Sequence, residues 1–157
     1  MPENCAVVGT PFGTIGVAWR DQVLTRMELS PEDFKTTGEP LPAFVAETLD
    51  AYFRDGTSAL NLPIRLQGTP FQCRVWKALR EIPPGRTITY GELARKLGSS
   101  ARAVGGACRA NPCPIVVPCH RVVAVNGLGG FSGDASGRKL EIKRWLLCHE
   151  GNADLRS

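Results

Sequence analysis

The chain has 157 residues, is 43% hydrophobic and 22% charged, and carries a formal net charge of +4. That composition fits a globular protein of one domain or two small ones, and it excludes a disordered or fibrous chain. No apolar run approaches the roughly 20 residues that cross a bilayer, and no basic-then-apolar leader opens the chain, so the expected location is cytoplasmic and off the membrane.

Residues 5–30 read as short strands. Cys5 to Val8 is apolar, Thr10-Pro11-Phe12-Gly13 is turn chemistry, and Ile15 to Trp19 and Val23 to Leu29 are apolar runs linked by Arg20-Asp21-Gln22. Ser30 to Phe34 opens a helical turn, and 36–42 is a loop. Apolar residues at 44, 45, 49, 52 and 53 predict an amphipathic helix stopped near Gly56. Leu60 to Leu66 reads as one more strand, kept at an edge by Pro63. This first half, 1–67, shows no catalytic constellation and reads as a scaffold.

Gly68-Thr69-Pro70 opens the second half, 68–157. Thr69 is an N-cap with Pro70 at the first helical position, and Phe71, Val75, Leu79 and Ile82 mark the buried stripe. Pro83-Pro84-Gly85 ends that helix. Thr89 caps a second helix over 90–97, closed by Gly98. Ser99 or Ser100 caps a third, from Ala101 to about Ala110. Two short helices joined by a tight glycine turn predict a helix-turn-helix.

The third helix carries adjacent glycines, Gly105 and Gly106, at a cost of about 1 kcal/mol each against alanine. Either tight packing on a neighbouring helix or close approach to a DNA groove offsets that cost. Arg102 and Arg109 on the same helix suit phosphate or base contacts. Residues 137–149 form a basic amphipathic helix, with Leu140, Ile142, Trp145, Leu146 and Leu147 inward and Lys139, Lys143 and Arg144 toward solvent or phosphate.

Between these helices lies Asn111-Pro112-Cys113-Pro114-Ile115-Val116-Val117-Pro118-Cys119-His120-Arg121-Val122-Val123. Its β-branched run favours an extended, buried segment, and its prolines exclude a helix interior or a central strand. A thiol beside an imidazole and a guanidinium has surroundings that lower a cysteine pKa and make a nucleophile. The plain alternative is a buried structural cysteine. Asn126 to Gly133 lacks the pattern of a phosphate-binding loop and reads instead as a wall closing a pocket.

Charge and cysteine usage bear on partners and chemistry. Residues 1–67 hold 5 Lys/Arg and 9 Asp/Glu, whereas 68–157 hold 14 and 6, so the second half carries a net +8. A basic half suggests a polyanionic partner, against the plain reading of a solvated surface. The six cysteines, at 5, 73, 108, 113, 119 and 148, fit a reducing compartment better than a disulfide framework. There is no Cys-x-x-Cys, and histidine occurs only at 120 and 149.

Pro118-Cys119-His120-Arg121, with Val122-Val123 after it and Asn111-Pro112 before it, resembles the acceptor-cysteine signature of the O6-alkylguanine-DNA alkyltransferases. Phe71 to Leu79, Ile88 to Ala94, Ala101 to Ala107 and Trp145 to Gly151 are similar to the family's further motifs and follow in its order. The likeness is strong over 68–151 and weak over 1–67. It implies an α+β fold: a small ribonuclease-H-like sheet-plus-helix domain, 1–67, then a helical domain, 68–157, with a winged-helix-like helix-turn-helix that binds DNA and accepts the alkyl group.

The resemblance also implies roles. Cys119 is the acceptor. His120 is its base through a water, oriented by Glu150, with His149 the rival base and the more structural of the two. Asn111 fixes the acceptor segment, Arg102 fills the stack left by the flipped guanine, and Tyr90 helps rotate the nucleotide and donates to the base. Arg109, Gly105 and Gly106 meet DNA. Cys108, Val122, Phe131 and Ser132 line the base pocket, and Arg121 pairs beneath it.

The implied partner is double-stranded DNA bearing O6-alkylguanine, with O4-alkylthymine left open as a second lesion. The protein is expected to act as a monomer, once per molecule, without a cofactor. No metal is expected either, since Cys5 is the one candidate ligand where some relatives hold zinc. From chemistry alone a Cys-His hydrolase is the runner-up, and a damage-recognition protein without transfer is the other alternative.

Overall fold

Alternating apolar stretches and tight turns build a three-stranded antiparallel sheet first. In the computed structural model, which describes residues 2–32, 34–129 and 137–152, its strands are β1 (Asn4–Thr10), β2 (Gly13–Arg20) and β3 (Val23–Glu28), in the order β1-β2-β3. β2 is central and covered on both sides, so Ile15 to Trp19 is a continuous buried run. Asp21 and Gln22 both take positive φ, 50° and 69°, the two-residue turn that matches strand twist.

Leu60 to Leu66 makes a single parallel bridge, Leu24 to Ile64, rather than a strand. Pro63 offers its carbonyl to Leu24 N–H (2.9 Å) but has no N–H to extend the ladder. Helix α1 (Ala43–Arg54) packs Val45, Leu49 and Tyr52 into the core.

The second half opens with α2 (Pro70–Arg80) and α3 (Tyr90–Leu97), each started by a threonine capping box, Thr69 with Gln72 and Thr89 with Glu92. Gly98 closes α3 in the left-handed region at φ 64°, and Ser100 caps α4 (Ala101–Arg109). Trp76 on α2 donates its indole N–H to the Ala107 carbonyl at 2.9 Å and so fastens α4. β4 (Ile88–Thr89) pairs in parallel with β5 (Val122–Val123), and α5 (Arg138–His149) ends the described chain. Buried residues from both halves, Ile15 through Leu146, form one continuous cluster.

The 111–123 segment is buried as expected but not extended. Pro114 bridges Val117 around a turn, and Ile115 sits at φ 77°, an outlier for a β-branched residue. Cys119–Arg121 then form one turn of 3-10 helix. Prolines on both sides of the β-branched run remove the donors an extended ladder would need. The segment is fixed from outside, because Pro112 O accepts from Met27 N of β3 at 2.9 Å.

Candidate active site

Cys119 opens the 3-10 turn with 3% of its surface exposed. Asn111, just past α4, folds back over it. The Asn111 amide donates from Nδ2 to Cys119 Sγ (3.2 Å) and to Val117 O (2.9 Å), while its Oδ1 accepts from Cys113 N (2.9 Å). One side chain thus ties both ends of the turn to the sulfur.

Behind the thiol lies a closed charged network. His120 donates from Nε2 to Glu150 Oε2 at 2.8 Å. Arg121 grips the same carboxylate in a fork, Nε to Oε1 and Nη2 to Oε2, each at 2.9 Å, and gives a third bond to Ile82 O. Tyr52 of α1 donates its hydroxyl to Glu150 Oε2 at 2.5 Å. Glu150 stands at the C-cap of α5, where the helix dipole disfavours an anion. Burial also pushes its carboxyl up, yet His120 and the Arg121 guanidinium outweigh that and hold it at about 2. Burial lowers His120 more than Glu150 raises it, so the imidazole is neutral at neutral pH.

Two sequence expectations are corrected here. The two neighbours of Cys119 in sequence do not lower its pKa, because the Arg121 charge is paired with Glu150 and His120 is neutral. Burial pushes the Cys119 thiol up to about 11, and the groups that oppose burial are the Asn111 amide and Lys143. Lys143 itself is not on the solvent face of α5. It is 0% exposed and donates from Nζ to the carbonyls of Val122 (2.8 Å) and Leu128, with the Tyr90 ring centroid 6.0 Å away. Burial lowers its ammonium to about 8, against the stabilising pull of Cys119 and Cys108.

The remaining expected residues fall into three groups. Cys108, buried on α4, and half-buried Tyr90, at the start of α3, share the electrostatic surroundings of Cys119. Burial, with the two sulfurs, pushes Tyr90 to about 12, and burial with Cys119 pushes Cys108 to about 12. Val122 is fully buried in β5 and reaches this group through its carbonyl on Lys143. Arg102 and Arg109 are exposed on α4. Phe131 and Ser132 lie outside the described residues.

Gly105 and Gly106 decide between the two readings of α4. A Cβ added at either would meet only the Arg109 guanidinium, at 3.9 and 3.8 Å, so these glycines are not packed against another helix. Tight internal packing does not explain them. His149 is held away from the thiol: it donates from Nε2 to Tyr52 O at 2.6 Å and stacks on Trp145 at 4.5 Å. Among the described residues no group of three or more His, Cys, Asp or Glu could hold a metal, and no helix is long and apolar enough to cross a membrane.

Sequence reasoning missed Tyr52 and Lys143. Tyr52 counted as one more apolar position of α1, and Lys143 as one more cation on a basic helix. Their signals, a tyrosine on a buried stripe and a lysine one residue after the core position Ile142, are weak.

Fold and site together define a mixed α/β protein with a two-helix module whose second helix, with exposed Arg102 and Arg109, adjoins the buried Cys119. Residues 70–152 match the family described as "6-O-methylguanine DNA methyltransferase, DNA binding domain". The chain is 45% identical over 124 residues to a methylated-DNA–protein-cysteine methyltransferase of Shigella flexneri, covering 76% of this chain and 70% of that one. It is 40% identical over 152 residues to the protein of the same name from Mycolicibacterium paratuberculosis, covering 91% and 89%. The crystal structure of Mycobacterium tuberculosis OGT in complex with DNA superposes with a TM-score of 0.78 at 36% identity, covering 94% of this chain and 93% of that one. The chain belongs to the methylated-DNA–protein-cysteine methyltransferase family.

Proposed function

We propose that this chain repairs duplex DNA by direct reversal, taking the alkyl group from O6 of guanine onto Cys119 once per molecule. The observation that carries the reading is one juxtaposition: the Cys119 sulfur, held by Asn111, shares its surroundings with Cys108 of α4, whose Gly105 and Gly106 face only the flexible Arg109 guanidinium. O6 lies on the base-pairing edge, so the nucleotide must leave the stack, at a few kcal/mol and least for a damaged base. Arg102 fills the gap, Arg109 holds phosphate, and Gly105 and Gly106 let the α4 backbone approach the groove. Tyr90 helps turn the nucleotide and donates to the leaving purine. Cys108, Val122, Phe131 and Ser132 line the pocket.

Neutral His120, oriented by Glu150, removes the Cys119 proton through a water, and Lys143 stabilises the sulfur anion. Sγ attacks the alkyl carbon, the carbon–O6 bond breaks, its electron pair goes to the purine, and a thioether remains. A thioether C–S bond is inert to water, so the reaction stops at one equivalent.

The sheet and α1 support a ribonuclease-H-like scaffold over 1–67. The α3–α4 pair with β4 and β5 supports a winged-helix-like unit over 68–157. The protein acts as a cytoplasmic monomer, and O4-alkylthymine is a second lesion to assay. The test uses an oligonucleotide with O6-methylguanine labelled in the methyl group. One equivalent of label on Cys119, and none with Cys119→Ser, is the expected result. Release of label beyond one equivalent points to a hydrolase, and binding with label left on DNA points to recognition alone.

A further inference from the structure

Glu150 Oε2 is shared by three donors, and one of them comes from the half of the chain that sequence alone marks as scaffold. Tyr52 lies on α1, 98 residues from Glu150, and its hydroxyl reaches Oε2 at 2.5 Å, closer than His120 (2.8 Å) or Arg121 Nη2 (2.9 Å). Tyr52 is fully buried, its ring edge-on to Phe53 (5.3 Å) and His149 (5.2 Å). Burial and the Glu150 charge push its phenol far up, so the proton stays on the tyrosine and the bond runs from Tyr52 to Glu150.

We infer that Tyr52 is a positioning residue of the alkyl transfer, setting through Glu150 how strongly His120 holds a proton. The inference rests on the reading of His120 as the base. A carboxylate oxygen has a limited share of charge to give its donors. With Tyr52 drawing on Oε2, less is left for His120 Nε2–H, and the imidazolium is less stabilised. Removing the hydroxyl returns that share to His120, whose proton affinity rises.

The charged and titratable groups around this chain of contacts are few. Glu150, Arg121 and Lys143 act on His120; His120 and Arg121 act on Glu150, which also accepts from Tyr52; Glu150 and Arg121 act on Tyr52, whose ring packs edge-on to the titratable His149. Arg121 is anchored also by Glu150 Oε1 and Ile82 O, and Lys143 by Val122 O, so the expected change falls chiefly on the Glu150–His120 bond.

The test is the pH profile of single-turnover methyl transfer from an O6-methylguanine duplex by the full chain. Transfer requires neutral His120 and fails on the acid side. In Tyr52→Phe, which keeps the ring contacts, the acid limb moves to higher pH by about one unit, the size of one charge-assisted hydrogen bond. Duplex affinity is unchanged, because α4 is untouched. With 3-fluorotyrosine at 52, a stronger donor of nearly the same size, the limb moves to lower pH; this second variant decides the matter should the phenylalanine variant fold poorly. A lower yield or melting temperature with an unmoved limb means Tyr52 only packs, and overturns the proposal. A limb moving the opposite way in either variant also overturns it. A wild-type protein that transfers no methyl group would instead refute the function proposed above.

Discussion

Lys143 carries its ammonium into the core between β5 and the Leu128 carbonyl, next to a thiol that burial keeps protonated. In a medium of low dielectric, forming a thiolate without a nearby cation is costly. Lys143→Met keeps much of the stem and removes the charge. We expect transfer at neutral pH to slow by about tenfold or more, the effect of one unit in the thiol pKa. Iodoacetamide labelling of Cys119 against pH would show that rise directly. The carbonyls of Val122 and Leu128 lose a donor in the same variant, for which chemical denaturation should report on the order of 1–3 kcal/mol. An unchanged alkylation profile would remove Lys143 from the chemistry and leave it a purely structural role.

At the scale of elements, α4 has a conflict between its own stability and its place in the molecule. Gly105→Ala or Gly106→Ala meets nothing but a flexible arginine tip. Each should therefore raise unfolding free energy by about 0.5–1 kcal/mol. If α4 docks in the groove as proposed, the same methyl group stands in its way, so duplex affinity should fall while reaction with a free O6-alkylguanine base is unaffected. Melting curves, a binding titration and a free-base assay give three independent readouts. Higher stability with unchanged DNA affinity would show that the bare face is not the docking face. The helix boundaries of this half were legible because local chemistry writes them: Thr69, Thr89 and Ser100 all cap as their positions suggest. The turn that leads to Cys119 was not, since no local rule puts the β-branched Ile115 at φ 77°. That conformation costs about 1–3 kcal/mol and persists because the residue is packed from all sides.

For the molecule as a whole, the buried Tyr52–Glu150–Arg121–His120 network joins α1 to the Cys119 turn and makes stability depend on acid. The Glu150 carboxyl is held at about 2 against its usual 4.5. The unfolded chain therefore binds a proton that the folded chain refuses between those values. Stability from this group is complete above about pH 4.5 and is lost as pH falls toward 2, in total roughly 3 kcal/mol. His120, also lowered by burial, acts in the same direction below its usual 6.5. Denaturant midpoints should fall steadily as pH drops from 6.5. Glu150→Gln, less stable at pH 7 because it breaks the Arg121 fork, should show a flatter decline below pH 4.5. Parallel declines for the two proteins would place the acid sensitivity elsewhere. The charge of the second half adds a further expectation: duplex affinity falls steeply with salt, and Arg109→Ala reduces that slope by about one.

The sequence by itself determined β1 to β3, the capped helices, the family and the cysteine proposed as acceptor. Each of these is local in the chain: a periodicity, a cap or a contiguous motif. Only the tertiary structure decided how the sulfur is treated. It spent the Arg121 charge on Glu150, left the thiol raised by burial, drew Lys143 inward and delivered Tyr52 from the other half. Those choices depend on which faces are buried together, and burial sets proton affinities more strongly than neighbours along the chain do.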